Sequence, residues 1–174
     1  DPDTAEAVSD SLGGHPLAIR LWTPEEGVPE KTKAVLDYVK DTVISRLSEQ
    51  GMKTLDELSI APSPLGSEEL NSEAGIAELD NSAVLKWSDG LMETHHLVRN
   101  VRKATLEQET LSRMHHNEAK KWSAKEGERA RKIEAYHRSM SGQDDDVEWI
   151  EENIRLISIH DSSIAAVVIE NALN

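Results

Sequence analysis

The chain has 174 residues, enough for one ordinary domain or two small ones. It carries 33 acidic and 19 basic residues, a net charge of −14, and contains no cysteine. The charge disfavours DNA binding, which needs a basic face, and the missing cysteine excludes disulfides, thiolate metal sites and a cysteine nucleophile. No apolar run approaches the roughly 20 residues of a membrane span. We therefore expect a soluble, cytoplasmic protein that makes no membrane contact, and a piece of a longer chain.

The first 29 residues predict two short helices and a connector. Helical spacing of apolar residues ends at Gly13-Gly14, and Pro16 is well placed in the first turn of a second short helix. Residues 23–29 are rich in proline and glycine, which is typical of a joint between structural segments. We assign 1–29 as a segment of its own.

Residues 30–104 predict helices followed by a β-hairpin and a further helix. Apolar spacing and capping residues, with Ser48 and Ser67 as caps, predict helices over 31–47, 48–60, 67–70 and 72–80. Val84–Trp87 and Leu91–Thr94 are predicted strands on either side of the turn Ser88-Asp89-Gly90. From His95 the spacing becomes helical again. Three helices and a β-wing are the parts of a winged helix, and we predict one here.

Residues 105–174 predict amphipathic helices joined by short turns. The predicted helices cover 105–125, 128–140, a third from Asp144 to about His160, and 164–173. One face of the first of them is predicted to carry Leu111, Met114, Glu118/Ala119 and Trp122 in register. The corresponding stripe of the third is predicted to consist of Val147, Ile150, Ile154 and Ile157. Antiparallel pairs of this kind predict a helical-repeat segment, so the fold as a whole is expected to be mainly α. The last helix is apolar enough to require cover from a following repeat or from a second copy of the chain, as a homodimer.

Three motifs occur in the order found in one family. Residues 13–19, Gly-Gly-His-Pro-Leu-Ala-Ile, resemble the Gly-x-Pro segment of the lid helices in STAND ATPases, the NB-ARC-like branch of the AAA-type NTPases. Residues 94–99, Thr-His-His-Leu-Val-Arg, resemble the Met-His-Asp-Leu-Val motif that closes the winged helix there. Residues 114–119 with Trp122, and later 134–137, are similar to the opening of the tetratricopeptide-like array that follows.

The resemblance implies two cofactor-binding residues. Pro16 would pack near the adenine, and His95 would contact the β-phosphate of bound ADP and so hold the resting state. The motif's Met and Asp are replaced here by Thr94 and His96. No P-loop, Gly-x-x-x-x-Gly-Lys-[Ser/Thr], occurs in the chain. We therefore expect no ATP, ADP or magnesium in this segment by itself, and no catalysis, although the parent protein would be an ATPase.

No other residues indicate a catalytic or metal site. The adjacent pairs His95-His96 and His115-His116 diverge by about 100° on a helix, so neither pair converges on one ion. Residues 144–146, three aspartates, lack the glycine and glutamate of a calcium loop and are interpreted as a charge run at a helix N-terminus. His137 lies on an apolar stripe and is interpreted as a core histidine. We assign no metal ligand and no catalytic residue.

Two functions from different classes are compatible with this organisation. The first is a non-catalytic regulatory segment of a signal-transducing STAND-type ATPase, whose winged helix senses nucleotide state and whose helical repeats bind a protein partner. The alternative is a winged-helix transcription regulator that binds DNA and dimerises through its C-terminal helices. Nucleic-acid binding is not expected, because the helix over 72–80 carries Glu73, Glu78 and Asp80 and no basic residue. The nearest basic patch is Arg99, Arg102 and Lys103.

Overall fold

A computed structural model describes residues 33–160, with the side chains of 37 and 39–153. The chain divides into two compact units between Thr105 and Leu106. The described residues are mainly α, with seven α-helices and one two-stranded antiparallel sheet. Within this range no helix is both long and apolar enough to span a bilayer. The predicted segment 1–29, with Pro16, and the predicted helix 164–173 lie outside the described residues.

In the first unit, one helix packs against two other helices and the second strand of the hairpin. The elements of this unit are α1 (Lys33–Thr42), α2 (Glu49–Ile60), α3 (Ile76–Asn81), β1 (Leu85–Ser88), β2 (Leu91–Thr94) and α4 (His96–Thr105), with 3-10 turns at Ile44–Arg46 and Ser67–Glu69. Helix α2 is the one that packs against α3, β2 and α4. The core consists of fully buried apolar side chains, among them Leu55, Leu58, Leu79, Met92 and Val98. Leu65 exchanges two backbone hydrogen bonds with Met92 and so ties β2 to the loop after α2.

The hairpin is confirmed, and its turn explains why it forms. Lys86 lies opposite Glu93 and Trp87 opposite Met92, so that only Asp89 and Gly90 connect the strands. Both have positive φ, +52° and +79°. This is the backbone of a type I′ turn, whose twist matches that of the paired strands, and Asp-Gly is among the few dipeptides that adopt it readily. The first strand begins at Leu85, one residue later than predicted.

Several predicted helix boundaries are wrong. The helix predicted over 31–47 ends at Thr42, where the run Thr42-Val43-Ile44 is β-branched and lowers helix stability. Ser67 is not a cap: the N–H of Gly66 is bound instead by the Glu69 carboxylate at 2.9 Å. The helix predicted from residue 72 begins only at Ile76. The Ser72 hydroxyl accepts from the Ala74 N–H, a local bond that competes with helix.

The start of α2 is held by a residue from α3. As predicted, Ser48 is the cap, and its hydroxyl oxygen accepts from the N–H of Gly51 at 3.1 Å. The N–H and hydroxyl of Ser48 both donate to the Glu78 carboxylate, at 2.8 and 2.5 Å. Both hydrogen bonds lower the pKa of Glu78, and the one from the hydroxyl has the larger effect. A carboxylate at a helix N-terminus is favoured by the helix dipole, so Glu78 joins α2 to α3.

The second unit is a stack of three helices, α5 (Gln108–Ser123), α6 (Glu128–Ser141) and α7 (Asp144–His160). Helices α5 and α6 are antiparallel, because Ser112 contacts Ser141 while His115, later in α5, contacts the earlier His137. Gly142, with φ +63°, ends α6 in the left-handed conformation.

The composition of this unit's core differs from the prediction. Leu111 and Met114 are only half-buried, and Val147 is 37% exposed. His115 and Glu118 lie on the buried face of α5 together with Ala119 and Trp122. The predicted stripe of α5 is thus confirmed at Glu118, Ala119 and Trp122, whereas the burial of His115 was not predicted.

We predict that Gly75→Ala destabilises the first unit. A Cβ at Gly75 would lie 2.6 Å from the backbone carbonyl oxygen of Gln50, besides meeting the Thr54 side chain, so α2 and α3 would have to separate. The expected cost is about 1–3 kcal/mol of opening free energy, measured by hydrogen exchange of α2 amides. The control is Ala77→Ser on the exposed face of α3. Equal protection in the two variants would contradict the close approach of α2 and α3.

Candidate functional site

His95 lies where the hairpin becomes α4. Its N–H donates to the carbonyl of Val84 at 2.8 Å, and its own carbonyl accepts from the N–H of Arg99 at 3.0 Å. The residue thus closes the hairpin and occupies the cap position of a ten-residue helix. Its side chain is half-buried, and its ring centroid lies 4.6 Å from that of the exposed His96. The backbone position of this imidazole is therefore fixed by two elements at once.

The neighbours of His95 show how the chain departs from the motif. Thr94, at the motif's Met position, is buried, whereas His96, at the Asp position, points to solvent. Pro16 lies outside the described residues, so the structure does not relate the two predicted cofactor-binding residues to each other. His95 alone of that pair has a described environment.

The basic patch predicted on α4 is partly neutralised. Arg102 forms a two-pronged ion pair with Asp56 of α2, with Nε–Oδ1 and Nη2–Oδ2 distances of 2.5 and 3.1 Å. Asp80 on α3 accepts a hydrogen bond from the indole of Trp87 at 2.8 Å, and Glu78 is held at Ser48. Both carboxylates accept from neutral donors, so helix α3 carries negative charge, which repels phosphate.

In the second unit, buried and half-buried polar side chains from all three helices form groups of hydrogen bonds and ion pairs, which we together call the polar seam: His115, His116, Glu118, Lys121, Glu134, His137, Arg138, Ser141 and Asp146. Asp146 is completely buried at the start of α7. Its carboxylate accepts from His116 Nδ1 at 2.8 Å, from Arg138 at 2.7 Å and from the Ser141 hydroxyl at 2.5 Å. This one carboxylate therefore bonds to one residue of α5 and to two residues of α6, the second of which is the last residue of that helix.

The three aspartates lie in the first turn of α7, as the sequence predicted, but the burial of Asp146 was not predicted. Asp144 and Asp145 are exposed, as expected of a charge run at a helix N-terminus, but the third aspartate is not. A usable signal was present, because Asp146 lies one helical turn before the buried Ile150 and so shares its face. Arg138 completes this part of the seam: it pairs with Glu134 at 2.8 Å and lies 4.6 Å above the ring of Trp149.

A second part of the polar seam joins two imidazoles. Nδ1 of His115 and Nδ1 of His137 are 2.9 Å apart, and the two side chains are 2% and 1% exposed. Since a neutral imidazole has one donor and one acceptor, one ring carries its proton on Nδ1 and the other on Nε2. Burial, with added repulsion from His115 and Lys121, lowers the pKa of His137 to about 2. His137 is therefore a hydrogen-bonded, neutral core residue.

The described residues do not arrange three or more His, Asp or Glu side chains to hold a metal ion. His115 and His116 diverge as the helix geometry requires, the first toward His137 and the second toward Asp146. The arrangement therefore joins helices through hydrogen bonds. Among the described residues, His95 and His96 are the imidazoles that stand at the N-terminus of a helix.

No protein-family model, no curated protein and no solved structure matches the chain.

We predict that Asp146→Asn strongly destabilises the second unit. The substitution keeps the size of the side chain but removes one of the two carboxylates of the half-buried Arg138, together with the charged acceptor of His116 and Ser141, which costs about 3–5 kcal/mol. The readout is the opening free energy of α6 amides from hydrogen exchange. The control is Asp145→Asn, which removes the same charge from an exposed position of the same helix turn and is expected to cost less than about 1 kcal/mol. Similar losses in the two variants would contradict the role of Asp146.

Proposed function

We propose that this chain is a non-catalytic regulatory and interaction segment of a cytoplasmic, STAND-type signal-transducing ATPase. Residues 30–104 act as a winged helix that reports nucleotide state, and 105–174 begin a helical-repeat segment that binds a protein partner. The observation that supports this most is the position of His95. In a unit that runs through helices to a hairpin and a last helix, His95 stands at the junction of hairpin and helix, where the family motif has its histidine.

The chemistry of this junction suits a phosphate. An imidazole can donate a hydrogen bond to an anion without a permanent charge. The first N–H groups of α4 lack partners within the helix, and the helix dipole favours negative charge at this end. A β-phosphate presented by a nucleotide-binding domain would meet His95 at this point. Replacement of the motif's Asp by His96 removes one negative charge from the site, which favours the same anion.

The remaining parts of the parent protein follow from this proposal. ATP or ADP and magnesium would be held by a P-loop domain encoded upstream, with Pro16 near the adenine. The stack of α5, α6 and α7 would present its exposed faces to the protein partner. Association through the apolar segment 164–173 with a second copy of the chain belongs to the same proposal.

We predict that the full chain does not bind duplex DNA, since the groove-facing helix of a DNA-binding winged helix would here be the acidic α3. The measurement is an anisotropy titration of a labelled duplex of random sequence at about 50 mM salt, where non-specific binders reach their highest affinities. We expect no saturation up to about 100 µM protein, well above typical non-specific dissociation constants. Binding that weakens steeply with added salt would instead support the transcription regulator.

We predict that His95→Ala in the parent protein accelerates ADP release. Loss of a hydrogen bond to a charged phosphate corresponds to about 1.5–3 kcal/mol, or roughly 10- to 100-fold in the dissociation rate of a fluorescent ADP analogue. The control is His96→Ala, the adjacent exposed imidazole. Equal rates in the two variants would refute the role of His95. A parent reading frame without Gly-x-x-x-x-Gly-Lys-[Ser/Thr] upstream of Asp1 would refute the ATPase assignment itself.

A further inference from the structure

The hydrogen bond between His115 and His137 depends on the absence of added protons. The rings approach from two facing helices, with their Nδ1 atoms 2.9 Å apart in a region closed to solvent. A first proton can bind Nε2 of the donor ring without breaking this bond, but it creates a buried positive charge. A second proton places two N–H donors and two cations face to face. The closed interface is therefore compatible with the neutral pair and increasingly incompatible with each proton.

The charged groups around the pair do not offset the positive charge that a proton would add to His115 or His137. On α5, Lys121 repels a charge on His137, and Glu118 is bound to that lysine at 2.7 Å. On α6, Glu134 is bound to Arg138 at 2.8 Å, and Tyr136 contacts both rings edge-on. On α7, Asp146 is shared between Arg138 and His116. Each buried carboxylate of the seam thus already has a cation.

We propose that the interface between α5 and α6 is an acid-sensitive switch, in which protonation of the pair formed by His115 and His137 increasingly favours separation of the two helices as the pH falls below about 6.5, while the first unit stays closed. The inference rests on the seam and is independent of the ATPase proposal. Because Asp146 bonds to both helices, their separation also removes partners of α7. The switch would expose the buried face of α5 that carries Trp122.

The direction of the pH dependence follows from the two states. In the closed state the pKa of His137 lies at about 2, whereas in the open state it returns to about 6.5. At pH values between these two pKa values the open state binds more protons than the closed state, so acid favours opening. The free energy that keeps the interface closed is therefore fully present above about pH 6.5 and decreases below it. From pH 7.5 to 5.5 the opening constant should rise about 10-fold if one ring takes up a proton, and about 100-fold if both do.

The test is hydrogen exchange of the full chain at pH 7.5 and 5.5, with each rate corrected for the intrinsic pH dependence of exchange. We expect the opening constant of interior α5 and α6 amides to rise 10- to 100-fold. We expect that of α2 amides, in the first unit, to stay within about twofold. An unchanged constant in α5 and α6, or an equal rise in α2, would overturn the proposal without any variant.

Substitutions test whether His115 and His137 cause the rise in the opening constant at low pH. Combining His115→Asn with His137→Gln puts two amides in place of the rings; they can hydrogen-bond but do not titrate in this range, so the rise should vanish. His116→Gln, which alters the adjacent imidazole that faces Asp146, should retain it. If the double variant does not fold, His115→Asn alone should lower the rise to 10-fold or less. A rise that persists without the pair, or disappears in His116→Gln, would overturn the assignment.

Discussion

The buried carboxylate of Asp146 determines how the second unit can be assembled. Removing such a charge from water costs several kcal/mol, and this cost is offset only when hydrogen-bonding partners surround it. The partners come from separate places in the chain, His116 on α5 and Arg138 and Ser141 on α6. A shift of α7 by one turn, or the absence of α5, would leave the charge incompletely paired. The unit therefore has one favoured arrangement, although much of its interior is polar.

The first unit achieves its arrangement by different means. Its core is mostly apolar, and its polar contacts connect neighbouring helices, such as the hydrogen bonds from Ser48 to Glu78 and the ion pair of Arg102 with Asp56. These contacts set where helices begin and how they approach one another. The place of His95 follows from the same principle, since its backbone bonds to Val84, the residue before β1, and to Arg99 of α4. These two bonds fix the position of the residue at the junction of the hairpin and α4.

Local chemistry decided which features could be predicted from sequence. The hairpin was predictable because Asp89-Gly90 meets the positive φ values of its turn without help from the rest of the fold. The cap at Ser48 was predictable for the same reason. The end of α1 and the start of α3 were not, because β-branched residues and the Ser72 hydroxyl weaken helix only slightly, and packing decides between near-equal alternatives.

The polar seam could be predicted only in part, because its bonds connect distant positions. The position of His137 in the core followed from helical spacing, but its partner His115 is 22 residues away, and their contact depends on the angle and register at which α5 meets α6. The position of Asp146 in the first turn of α7 was predicted, but its burial was not, because Arg138 and His116, which bind its carboxylate, are 8 and 30 residues away along the chain. The pairing of His95 with Pro16 came from resemblance alone.

The histidines of the two units illustrate opposite uses of one side chain. At the junction, the half-buried His95 stands at a helix N-terminus, where the proposed function puts its ring against the phosphate of a nucleotide. In the seam, His115 and His137 are enclosed, and each added proton opposes the packing that encloses them. The ring of the first unit is thus proposed to serve a ligand from outside, whereas the rings of the second hold two helices together and do so only while they are uncharged.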